Sequence, residues 1–107
     1  MEREYNKLVR DNIPEIIESE GNTPIMRVLD MEDYKICLFE KLKEEVFEFQ
    51  ADESIEELSD VLEVIDALKA VLKYSDDLIE EVKTQKAKKN GKFQKRLFLE
   101  KVITNEI

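Results

Sequence analysis

The stretch from Ser54 to Leu72 constrains this chain most. Leu58, Val61, Leu62, Val64, Ile65, Leu68, Val71 and Leu72 recur at helical spacing. Projected at about 100° per residue, the apolar arc of this helix spans roughly 220°, far wider than a helix with one solvated face requires. It has to be covered on two sides. Glu57 and Asp60 fall inside that arc, whereas Glu56, Glu63 and Asp66 fall in the polar remainder. A carboxylate set among apolar side chains becomes protonated or finds a cation. No lysine or arginine is near in sequence on that edge, and a metal ion would answer the problem.

The preceding segment supplies the complement. Asp30, with Asp33 three residues on, approximates a capping box, and Leu38, Phe39, Leu42, Val46 and Phe49 form one stripe, which predicts a helix over roughly 31–51. Glu45 borders Leu38 at the stripe's edge, Glu48 follows one turn later on the same side, and Glu44 sits further out. Ser54 with Glu57 is a second capping box. The short connection between the two helices predicts an antiparallel αα-hairpin. With its turn near Asp52-Glu53, Glu48 comes level with Glu57 and Glu45 level with Asp60.

Elsewhere the pattern is sparser. Asp11 or Asn12 caps a short first helix, with Pro14 in its first turn and Gly21 as its stop. Ser75 and Asp76-Asp77 open a fourth helix that ends near Asn90-Gly91. Residues 25–29 and 97–103 could be short extended segments, the second of them a strand or a docking arm. With 107 residues and no linker or repeat, the expectation is one all-α domain of about four helices spanning residues 1–107.

Composition narrows the chemistry. There is no histidine and a single cysteine, Cys37, which removes imidazole metal sites, Ser-His-Asp triads and internal disulfides. Two glycines and two prolines are too few for a glycine-rich phosphate loop. The absence of a long apolar run and of a signal-like start leads to the expectation of a cytoplasmic protein with no membrane partner. Net charge is −9, but unevenly divided: residues 30–81 hold 18 acids and five bases, and residues 83–101 hold eight bases and one acid. The acidic part opposes nucleic-acid binding by the basic part.

Carboxylates brought this close repel unless neutralised, and hard oxygen donors suit Mg²⁺ or Mn²⁺ rather than zinc. Mg²⁺ keeps several waters and shares its positions with phosphate, which favours phosphate chemistry. The plain alternative is an amphipathic helix pair whose acids are solvated, as surface acids usually are.

Glu44-Glu45-Val46-Phe47-Glu48 followed by Glu57-Leu58-Ser59-Asp60 resembles the E-E-x-x-E and E-x-x-D motifs of the MazG-like all-α nucleoside triphosphate pyrophosphohydrolases. Glu56-Glu57-Leu58-Ser59-Asp60-Val61-Leu62 is similar to the family's E-E-x-G-D-x-L run, with serine where glycine is common. The opening Tyr5-Asn6-Lys7-Leu8-Val9-Arg10-Asp11-Asn12-Ile13-Pro14, Gly91-Lys92-Phe93 and Leu97-Phe98-Leu99 look like a small single-domain branch, described as phosphoribosyl-ATP pyrophosphohydrolase-like or house-cleaning enzymes. The resemblance implies a dimeric helical bundle that hydrolyses a nucleotide between its α and β phosphates, releasing a monophosphate and pyrophosphate. It implies metal ligation by Glu45, Glu48, Glu57 and Asp60, with Glu44 an outer ligand or base beside Glu45. A phosphoribosyl-ATP pyrophosphohydrolase of histidine biosynthesis, or a non-catalytic helical dimer binding divalent cations or a basic partner, stays open.

Phosphates need cations besides the metal. Lys7 and Arg10 would stand one turn apart if their segment is helical, and both could reach an anion. Lys92 and Arg96 are the candidates from the larger basic cluster, where the family places phosphate-binding cations. The width of the third helix's apolar arc points to a homodimer or higher homo-oligomer.

Overall fold

The computed structural model describes residues 1–105. Its regular elements are four helices, α1 (Ile13–Ser19), α2 (Met31–Ala51), α3 (Ile55–Leu72) and α4 (Asp76–Asn90), with no strand among the described residues. The fold is all-α, as the periodicity predicts.

Local chemistry sets most helix ends. Asp30 accepts a hydrogen bond from the Asp33 amide at 2.8 Å, Ser54 from the Glu57 amide at 3.2 Å, and Ser75 from the Leu78 amide at 3.2 Å. Each occupies one amide that the first helical turn leaves without an intrahelical partner. α1 differs: the Asn12 side chain makes no capping bond, and Pro14 lies in the first turn, where its missing N–H costs nothing. At the other end Gly21 takes φ +85°. Its amide donates to Glu18 O at 3.0 Å and that of Asn22 to Ile17 O at 3.1 Å, a Schellman closure that favours glycine.

Two expectations need correction. Lys7 to Arg10 precede α1 and are not helical, so the one-turn spacing of their side chains does not apply. Residues 25–29 and 97–103 form no strand, since no neighbouring strand is present to complete their backbone hydrogen bonds.

Contacts divide the chain into two compact units, Met1–Lys73 and a second that begins at Tyr74. In the first, α2 and α3 pack against each other across the three-residue connection 52–54. Leu38 of α2 meets Val64 and Leu68 of α3, and Leu8, Tyr34, Leu42, Ala67 and Val71 close around them. Ile55, Leu58 and Leu62 of α3 are exposed, at 77%, 38% and 51%. One side of the wide apolar arc is therefore covered by α2, and the other lines a shallow groove with Ser59, Glu63 and Asp66. In the second unit, Tyr74 and the α4 residues Leu78, Ile79 and Val82 form an apolar strip edged by Lys83 and Lys86.

Candidate metal centre

Glu45 is the buried charged residue of the interface between α2 and α3, with 7% of its surface exposed. It stands on the stripe that carries Leu38 and Leu42, so packing of that stripe carries the carboxyl inward. Glu57 and Asp60 lie one turn apart on the covered side of α3, both half-buried, in phase with Val61, Val64 and Leu68. Three carboxylate oxygens, one each from Glu45, Glu57 and Asp60, come within 4.8 Å of one another.

This proximity has electrostatic consequences. Burial pushes the Glu45 carboxyl above its ordinary range, Glu48 and Asp60 push it further, and Lys41 offsets part of the rise. Desolvation also raises Glu57, helped by Asp60, Glu45, Asp52 and Glu56. Oε2 of Glu45 and Oε2 of Glu57 are buried with no hydrogen-bond partner. For Glu45, the buried residue of the two, an unsatisfied polar atom of this kind typically costs about 1–3 kcal/mol.

Two cations approach the group, and neither was evident from sequence order along α3. Lys41, half-buried on α2, places Nζ 3.5 Å from Glu44 Oε1 and 3.4 Å from Glu45 Oε1. The signal was available, since residues three and four apart on a helix are neighbours. Arg10 donates a 2.7 Å hydrogen bond from Nη2 to Asp60 Oδ1 across fifty positions of sequence. No local pattern reveals that contact.

The remaining sequence-predicted residues are placed as follows. Glu48 is exposed and contributes no oxygen to the close group, although its charge is felt by Glu45. Glu44 is half-buried beside Lys41. Lys7 is exposed, with its ammonium 5.7 Å from the Tyr5 ring centre. Lys92 and Arg96 are exposed in the second unit, Arg96 with φ +58°.

The donor set fits a hard divalent cation. All three donors are carboxylate oxygens, and two of the three residues hold a buried oxygen with no hydrogen-bond partner among the described residues. An ion bound at 2.0–2.1 Å sets opposite ligands about 4.2 Å apart and adjacent ones about 3 Å apart, so the oxygen trio, within 4.8 Å of one another, would draw closer to surround one. Lys41 and Arg10 bring two positive charges to a region that also includes Glu44 and Glu48, leaving it acidic.

No family model matches this chain. No solved structure matches it. Over 45 residues it is 49% identical to an uncharacterized protein of Mycolicibacterium smegmatis, a similarity that covers 42% of this chain and 46% of that protein. The chain thus matches about half the length of this curated relative.

Proposed function

We propose that this chain is a Mg²⁺-dependent nucleoside triphosphate pyrophosphohydrolase, cleaving the α–β phosphoanhydride to give a nucleoside monophosphate and pyrophosphate. The observation that carries the reading is the pair of buried, unpartnered oxygens on Glu45 and Glu57 within a three-carboxylate group. The E-E-x-x-E and E-x-x-D resemblance supports it independently.

Glu45, Glu57 and Asp60 hold the ion, Mg²⁺ or Mn²⁺, with Glu48 beside them. When bound, the ion neutralises the carboxylates, polarises a phosphoryl group and lowers the pKa of an attacking water. Lys41 fixes the rotamers of Glu44 and Glu45 by bridging them. Glu44, outside the close group and half-buried, is the base that receives the water's proton. Lys7 and Arg10, of the same unit as the acids, are the cations proposed to meet the substrate's phosphates.

The chain also pairs with a second copy in this reading. Ile55, Leu58 and Leu62 form an exposed apolar face on a helix whose opposite side is already packed. Sedimentation of the parent and of Leu62→Glu tests this: a parent dimer that becomes monomeric in the variant is the expected result.

The activity is tested by pyrophosphate release from a panel of normal and damaged nucleotides with Mg²⁺, comparing the parent with Glu45→Gln and Asp60→Asn. Turnover lost in both variants supports the reading. Equal rates in parent and variants reject the metal role, and no turnover of any nucleotide by the parent favours a non-catalytic cation-binding dimer.

A further inference from the structure

The contact between Arg10 and Asp60 differs in kind from four ion pairs held within α2 and α3. Lys41–Glu44, Lys41–Glu45, Lys43–Glu40 and Lys69–Asp66 each join residues three or four apart on one helix. Helix geometry holds such partners together whatever else binds. Arg10 instead reaches Asp60 from a non-helical segment fifty positions away.

The two ends of this contact have different freedom. The backbone of Arg10 is fixed: its carbonyl accepts from the Ile13 amide at 3.1 Å at the entry of α1, and Leu8, two residues earlier, packs on the Leu38, Val64 and Leu68 cluster. Its side chain is free to swing, being 59% exposed, and Asp60 is 39% exposed. Exposed pairs are weak, so a stronger cation can take the carboxylate. Asp60 is also one of the three residues whose oxygens converge.

We infer that Arg10 is an exchangeable counter-ion: it holds Asp60 while the cation site is empty, is displaced when a divalent cation binds, and then receives a phosphate group of the substrate. The inference rests on the metal-dependent reading above and adds its order of events. A divalent cation on Asp60 repels the guanidinium and removes its acceptor at the same time. A phosphate offers the planar, two-pronged partner that guanidinium groups bind best. Because Arg10 stays tethered at Leu8 and Ile13, its released head remains beside the site. Cation and phosphate therefore favour each other's binding, and the coupling is reciprocal. Lys41, locked to its own helix, stays where it is in both states.

The test measures binding rather than turnover. Mn²⁺ is titrated by calorimetry into the parent, Arg10→Ala and Arg10→Lys without any anion. Inorganic phosphate is then titrated into metal-free parent, Asp60→Asn, Arg10→Ala and the double variant. Arg10→Ala should bind Mn²⁺ roughly two- to fivefold more tightly than the parent, the span an exposed ion pair supports, with Arg10→Lys between them. The loss of phosphate affinity on Arg10→Ala should be larger in the Asp60→Asn background, where the guanidinium is already released. Mn²⁺ binding by the parent that is unchanged or weakened in Arg10→Ala overturns the exchange and leaves the metal site standing. No Mn²⁺ binding by the parent overturns both. Equal phosphate losses in the two backgrounds overturn the proposed release.

Discussion

Glu45 on α2 and Glu57 on α3 turn carboxylate oxygens to within 4.8 Å of each other, and each has a buried oxygen, Oε2, without a hydrogen-bond partner. A pair arranged this way is unfavourable by itself and favourable around a cation. Mg²⁺ or Mn²⁺ should therefore raise the melting temperature. At a concentration one hundred times Kd the contribution is about 2.7 kcal/mol, or a rise of roughly 10 °C or more for a small domain. Scanning calorimetry checks it, with Glu45→Gln expected to lose most of the rise. A melting temperature indifferent to both ions would remove the site.

The same burial predicts an unusual dependence on pH in the metal-free protein. Glu45 and Glu57 both titrate above their ordinary value of about 4.5 when folded, so the folded state holds more protons than the unfolded chain in the interval above it. The stabilisation they provide is complete below that value and is lost as pH rises through the folded-state values. Urea midpoints of the parent, measured from about pH 4 to about pH 8, should fall relative to those of a Glu45→Gln, Glu57→Gln variant. A constant difference across that range counts against the shifted groups.

Activity should separate the acids by position. Glu45→Gln and Asp60→Asn each remove a member of the close group, and their losses in kcat should exceed the roughly 10- to 100-fold typical of groups that only support a ligand. Glu48→Gln alters an exposed side chain, so its cost should stay below about tenfold. Steady-state rates at saturating Mg²⁺ decide this, and equal losses at all three positions would place Glu48 among the ligands.

The packing that carries the site inward can be tested without nucleotide. Leu38, 3% exposed, is the most buried residue of the core, and Leu38→Ala should destabilise by about 2–4 kcal/mol. Chemical denaturation measures the loss. Because Glu45 shares the stripe of Leu38, the variant should also weaken Mn²⁺ binding, although the changed side chain is not among the converging acids.

What was legible in the sequence was what is local. Asp30, Ser54 and Ser75 act as caps because a side-chain oxygen answers an amide three residues on, and the bounds of α2 follow from that cap and the stripe through Leu38 and Leu42. The inward position of Glu45, Glu57 and Asp60 was readable from helical phase. Levelling residues about the turn also brought in Glu48, but level is not direction: a step of three residues turns by about 60° the other way, which moves Glu48 off the packed stripe. The contact of Arg10 with Asp60 was hidden because it joins a helix to a segment with no periodicity of its own. Strands at 25–29 and 97–103 were suggested by apolar runs alone, which do not supply a pairing partner.

The brief link 52–54 has a bearing on which insertions and deletions the chain can tolerate. α2 and α3 are each phased by their own contacts with the shared core, Leu38 on one and Val64 and Leu68 on the other. Residues added to the link leave both phases intact. One residue added between Glu57 and Asp60 swings the second acid by about 100° and takes it out of the cluster. Divergent copies that keep the chemistry are therefore free to vary in the length of the bend, while the interval from Glu57 to Asp60 stays at three.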